Sequence, residues 1–227
     1  MTEQVQNKQL VSPGELLCEG DYLVGENTFR DVDKVYSSQV GVVDFSEKRV
    51  SVIRIKGPYL PHPDDLVIGR IVDILMSGWL VDIDAPYPAL LPASEVSSQN
   101  GRQVSDLSTI LRVGDLVISK VLEFDRTRDP LITANGPGLG KVSTGKTVEI
   151  SSAKIPRLIG RNGSMVDLLK KETKSHILVG QNGIVLVSSE SPEGERAAIS
   201  VIKMIEREAH TQGLTDRVKA LFEKEAK

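Results

Sequence analysis

Two short stretches place residue types at spacings that could do chemistry on a phosphate. The first is GKVSTGKT, where Gly140, Gly145, Lys146 and Thr147 satisfy the pattern G-x-x-x-x-G-K-[ST]. In that pattern glycine-freed backbone N–H groups cradle phosphates, the lysine reaches the terminal ones and the hydroxyl holds magnesium, which is the chemistry of a nucleotide hydrolase. The second is IPRLIGRNGSMVDLLKK, where Gly160 and Gly163 bracket Arg161 and Asn162. Paired glycines let a loop approach a polyanion closely, and the helix after them offers free N–H groups and a partial positive charge. Arg161 adds a full charge, and Lys154, Arg157, Lys170 and Lys171 flank it.

The flanks decide between the two. A phosphate loop must leave a buried parallel strand and run into a helix. Thr147 is followed by Val-Glu-Ile-Ser, which alternates apolar and polar and continues as a strand. Upstream, the glycines of GPGLG mark residues 136–145 as a linker, flexible at Gly136, Gly138 and Gly140. No alternation of strands and helices surrounds the motif, so nucleotide hydrolysis is not expected. Lys146 is assigned instead to the basic segment that it opens. The glycine pair has the flanks it needs: the strand TVEIS before it, a short helix, and then Met165, Leu168 and Leu169 at i, i+3 and i+4. Ser164 with Asp167 three residues on reads as a capping box.

Composition bounds what must position these residues. With 227 residues, 40% hydrophobic and 26% charged, the chain has room for two or three small cores. The lone Cys18 excludes an intramolecular disulfide and a cysteine-based zinc site, suits a reducing cytosol, and reads as a small buried hydrophobe. The polar start MTEQVQNKQL and the absence of any apolar run near ~18 residues predict a soluble, cytoplasmic protein. For the same reason Asn162-Gly163-Ser164 reads as an empty glycosylation match. His62, His176 and His210 are scattered and read as structural, and no carboxylate pair stands out, so no catalytic site, metal or cofactor is expected. The net charge of -3 is uneven: residues 1–65 carry -4, residues 66–134 carry -3, residues 146–187 carry +4 and residues 188–227 carry -1. The positive segment is either the seat of a polyanion or a solvated basic face.

Three domains emerge. Alternating runs from Lys34 to Val43 and from Lys48 to Ile55, joined by Asp-Phe-Ser-Glu, predict a hairpin in a small β-domain over residues 1–64, closed by the proline-rich GPYLPHPDD. Residues 65–135 hold five strand candidates, VIGRIVDIL, GWLVDID, PALLP, DLVISKVLEF and PLITA, with an irregular stretch from Ala93 to Leu116, which together suggest an OB barrel. Residues 146–227 read as strand, two helices, two strands and a long helix. Asn182-Gly183 is the tight turn between the two strands, and Ala198, Val201, Ile202, Ile205 and Ala209 recur at helical spacing. The expected fold is multidomain, β and α+β.

The letters add two resemblances. Residues 65–135, with Gly69, Gly78, Ser94-Glu95 and Val113-Gly114-Asp115, resemble the S1-type RNA-binding OB domain. Where that family has an aromatic-Gly-small-aromatic segment this chain has Ser77, Gly78, Trp79 and Leu80, and Pro92 stands where a histidine is frequent. Trp79 is then either a platform for a base or an indole packed in the barrel or against a neighbouring domain, while Arg126 and Arg128 are candidate phosphate contacts. Ile159, Gly160, Gly163 and Val166 meet the I-G-x-x-G-x-x-[IV] signature of a type I KH domain.

A β-domain, an S1-type domain and one KH domain, with phrases such as SPGELL, IKGPYLP, GWLVDIDAPYPALLPASE and EAHTQGLTDRV, resemble the RNA-binding cap subunit of the archaeal exosome over nearly the whole chain. That resemblance implies a protein that binds RNA without cutting it. It implies three copies on a hexameric ring of 3′-5′ exoribonuclease subunits, alongside other cap subunits, guiding single-stranded RNA into the pore for degradation or processing. It also implies that residues 1–64 dock on the ring. An S1/KH transcription-antitermination factor is the alternative, though that family has tandem KH domains of the other topology.

Overall fold

The computed structural model describes residues 2–46, 48–55, 57–96, 106–125, 127–209 and 213–225. The chain divides into two compact units, Met1–Gly57 and Pro58–Lys227. The first holds eight strands: β1 (Thr2–Glu3), β2 (Leu10–Val11), β3 (Leu16–Glu19), β4 (Leu23–Val24), β5 (Thr28–Asp31), β6 (Lys34–Ser37), β7 (Gly41–Ser46) and β8 (Arg49–Arg54). They form two four-stranded sheets, β1-β3-β6-β5 and β2-β7-β8-β4. Period-two alternation turns Val43, Val50 and Val52 inward, onto Leu17, Cys18 and Val35.

The expected hairpin is present as β7 paired antiparallel with β8, but its first run and its turn need correcting. The run from Lys34 to Val43 breaks after Ser37, whose hydroxyl donates to the Gln39 carbonyl at 2.6 Å, and resumes at Gly41 in the other sheet. Gly41 lies so close to β8 that a Cβ would come within 2.4 Å of the Ile53 carbonyl oxygen. Asp44 to Ser46 are not the turn but the end of β7, where Ser46 pairs with Arg49 and Phe45 meets the edge of Tyr22 at 5.9 Å.

In the second unit β9 (Leu66–Leu75), β10 (Gly78–Asp82), β11 (Ala89–Pro92), β12 (Leu116–Glu123) and β13 (Leu131–Thr133) run in the order β13-β11-β10-β9-β12. Pairing of β12 with β13 closes them into a five-stranded barrel, in which β11 and β13 are parallel. The proline-rich stretch belongs with this barrel. Tyr59 is buried in its core and donates to Asp65 Oδ2 at 2.6 Å; burial and that carboxylate push the phenol above its ordinary pKa. The supposedly flexible linker is tied down as well. Gly140–Lys141 form β14, which pairs with Val117 and Ile118 of β12, and Lys141 reaches Asp115 at 2.5 Å. Of the irregular stretch, residues 97–105 lie outside the described residues, and the rest includes short 3-10 turns at Ala93–Glu95 and Leu107–Thr109.

The remainder is β15 (Lys146–Glu149), α1 (Ile155–Ile159), α2 (Ser164–Thr173), β16 (Ser175–Val179), β17 (Ile184–Ser189), α3 (Pro192–Glu208) and α4 (Leu214–Glu225). The antiparallel sheet β15-β17-β16 packs against the helices, with Ala198, Val201, Ile202 and Ile205 of α3 buried on one stripe. Ser191 caps α3 by accepting from Glu193 N–H. The connection of β16 to β17 is a four-residue loop rather than a two-residue turn, closed by Gly180 N–H to the Ile184 carbonyl at 2.9 Å.

That loop docks on the barrel. Asn182 is 1% exposed. Its Nδ2 donates to the carbonyls of Ile68 at 2.8 Å and Ile83 at 2.9 Å, and its Oδ1 accepts from Ile68 N–H at 3.4 Å. Gln181 N–H adds a bond to the Leu66 carbonyl at 2.8 Å. Every polar group of the amide therefore finds a partner at a seam where water is excluded.

Candidate nucleic-acid interface

The glycine pair sits where the backbone must turn through conformations that side chains resist. Helix α1 starts with Pro156 in its first turn, buries Ile155 and Leu158, and ends at Gly160 with φ 75°. A Cβ on Gly160 would stand 2.8 Å from Met165 N, so only glycine lets α2 approach this closely. Asn162 follows in the left-handed region at φ 52° and Gly163 at φ 82°. The capping-box expectation fails: Ser164 is the first residue of α2, its N-cap is Gly163, and no side chain caps it. Met165 and Leu169 anchor α2 in the core, which leaves Arg161 and Asn162 exposed at the tip of a fixed loop.

The loop opens onto a groove of about 470 Å3, lined on this side by Arg157, Gly160, Arg161 and Ser164. The structure thus brings Arg157 and Arg161 together with the glycine pair. Lys170 and Lys171 are exposed in the last turn of α2, roughly 10 Å along the helix from the loop at 1.5 Å per residue. Lys154 stands just before α1, makes no side-chain capping bond and is half-buried. These three lysines lie around the loop rather than in the groove.

On the barrel the structure chooses between the two roles of Trp79. The indole is 0% exposed and its Nε1 donates to the Leu111 carbonyl at 3.0 Å, so it is a core residue and offers no face to a base. Arg128 is exposed, but it shares a recess with Glu123, Asp125 and Asp129, three carboxylates that oppose a phosphate. Thr127, by hydrogen bonds from its side chain and then its backbone, holds the Asp125 carboxyl below its usual range, which keeps that negative charge in place. Arg126 and His210 lie outside the described residues.

The other phosphate motif lacks its geometry. Lys146 and Thr147 begin β15, and Lys146 Nζ reaches Glu195 of α3 at 2.6 Å. This corrects its assignment to the basic segment, since its charge is already met. Lys146→Ala is expected to leave magnesium-ATP and GTP binding as it is in the parent protein, with no tight complex by calorimetry. It should lower stability by only ~1 kcal/mol, because the lysine end of the pair is 64% exposed and screened by solvent. A micromolar nucleotide complex abolished by the substitution would reverse this reading.

Sequence reasoning missed Asn182 as the residue joining the last domain to the barrel. Asn-Gly between two apolar runs signals a turn so strongly that it hides a buried amide. It also passed over Leu214 to Asp216, which close the far side of the groove; a glycine followed by Thr and Asp before an apolar helical stripe is a helix-start signal, not a site signal.

Comparison with known proteins follows this architecture. Residues 8–56 match the family described as Exosome RNA binding protein RRP4 N-terminal domain, residues 60–133 the S1 RNA binding domain and residues 145–204 the KH domain. The chain is 42% identical to Exosome complex component Rrp4 of Thermofilum pendens over 98% of its own length and 96% of that protein. It is 41% identical to the Pyrococcus furiosus protein of the same name, over 96% of this chain and 84% of the relative. A crystal structure of a protein assigned provisionally as an exosome complex RNA-binding protein superposes with a TM-score of 0.69 at 41% identity, covering 75% of this chain and 98% of that one.

Proposed function

Because this chain belongs to the Rrp4 family of exosome components, we propose that it is a non-catalytic RNA-binding cap which presents single-stranded RNA to a 3′-5′ exoribonuclease ring. The observation that carries the reading is the loop Gly160-Arg161-Asn162-Gly163, with positive φ at Gly160, Asn162 and Gly163 and Arg161 exposed beside an arginine-lined groove. Glycines give a sugar-phosphate backbone close access, and two guanidiniums supply the charge. Gly160, Arg161, Asn162, Gly163 and Arg157 form the contact, with Lys154, Lys170 and Lys171 steering the strand toward it. Three copies per ring and a cytoplasmic location complete the assignment. Nothing about the single KH domain, with its β-α-α-β-β-α order, favours the antitermination alternative.

Docking falls to the first unit. On the outer face of its second sheet Leu10, Val42 and Ile53 stand in register on three adjacent strands, with Leu10 60% and Ile53 61% exposed. An apolar row on the outside of a sheet whose core is already filled suits a protein surface, and the net charge of -4 over residues 1–65 disfavours RNA. Substituting Leu10 and Ile53 with aspartate is expected to abolish co-elution with ring subunits on size exclusion while the cap alone still binds RNA. With the ring, the unaltered cap should raise processivity on long strands more than on very short ones, because only long strands reach both cap and chamber. Equal acceleration of short and long substrates would sink the proposal.

A further inference from the structure

The groove beside the glycine loop has a second wall of different chemistry. Its far side is the turn that starts α4, contributing Leu214, Thr215 and Asp216. Leu214 at 2% and Met165 at 4% exposure give it an apolar floor. Above that floor, guanidiniums stand on the loop side, and a hydroxyl and a carboxylate stand exposed on the α4 side. The neighbouring Arg217 is engaged with Glu208 at 3.2 Å, and Asp216 takes part in no ion pair among the described residues.

A site for bare phosphate would have donors on both walls, since a carboxylate repels the anion. An anion at one side and a hydroxyl donor at the other describe a phosphate joined to a ribose. A carboxylate can only accept, and the 2′-hydroxyl is the donor that ribose has and deoxyribose lacks. We propose that the start of α4 completes a ribonucleotide site with the glycine loop, in which Arg161 holds the phosphate and Asp216, with Thr215 beside it, accepts the 2′-hydroxyl. The cavity thereby makes the interface select RNA over DNA. This rests on the reading of the loop as the RNA contact.

The test uses the full chain with oligouridine and oligodeoxyuridine of equal length, which differ only at the 2′ position. The unaltered protein should bind the RNA roughly tenfold more tightly, the size of one charge-assisted hydrogen bond. Asp216→Ala should remove most of that preference by weakening RNA and sparing DNA, while Asp216→Asn, which keeps an acceptor oxygen, should retain most of it. An unchanged RNA-to-DNA ratio in Asp216→Ala would overturn the proposal, and so would equal tightening of both oligomers, the sign of simple charge relief. Arg161→Asp separates the two levels. If it weakens both oligomers while Asp216→Ala leaves the ratio alone, only this inference fails; if it weakens neither, the loop is not the RNA contact.

Discussion

Replacing Arg161 and Asn162 together by aspartate is expected to weaken single-stranded RNA binding by at least about 1–3 kcal/mol, a factor of roughly ten to a hundred or more, with a thermal midpoint close to that of the parent. The change removes one positive charge and places two negative ones where phosphates approach. Both side chains are exposed, so no packing is lost. Asn162 occupies the left-handed region at φ 52°, which aspartate also tolerates, so the loop keeps its shape. The salt dependence should flatten in the variant, because fewer counterions are displaced. Unchanged affinity in a folded double variant would move the RNA contact elsewhere on the chain.

The second large effect is expected at Asn182. Asn182→Ala leaves the Ile68 and Ile83 carbonyls and the Ile68 N–H without the amide that now meets them at a buried seam. Unmade hydrogen bonds of this kind cost about 1–3 kcal/mol per group where water cannot replace the partner, so a loss of ~2–4 kcal/mol in urea unfolding is expected. Asn182→Asp should be worse, because a carboxylate facing two carbonyl oxygens is both desolvated and repelled. Limited proteolysis should then separate the domain that begins at β15 from the barrel. A parent-like urea midpoint in Asn182→Asp would show that the seam is held by something else.

These two sites differ in how far the sequence revealed them. The Gly160–Gly163 loop was legible because its glycines, its charge and the apolar stripe of the next helix are all local features, and local features survive as letters. The barrel strands were legible for the same reason, from alternation bounded by turn residues. What lay hidden was long-range. Trp79 could be a base platform or a core residue until the Leu111 carbonyl was found on its N–H. Lys146 read as the opening of the basic segment once its flanks had set the phosphate motif aside, and nothing local in the letters pointed to Glu195 beside it. Gly140–Lys141 carried every mark of a linker, since a two-residue strand at a barrel edge needs no sequence pattern of its own. Ser164 and Asp167 had the right spacing for a cap, but Gly163 closes the loop in left-handed backbone and takes the N-cap place itself.

The Asn182 seam also imposes an order on synthesis. Asn182 and Ile68 are separated by 114 positions in the chain. At roughly 5–20 residues per second, the amide leaves the ribosome on the order of ten seconds after the strand that it must meet. The barrel strands have all emerged by then, and in that interval the Ile68 and Ile83 carbonyls do without Asn182 and are open to water. A barrel that folds as it emerges stands as a hydrated body first, and the last domain then closes onto it, displacing that water as a late step of folding.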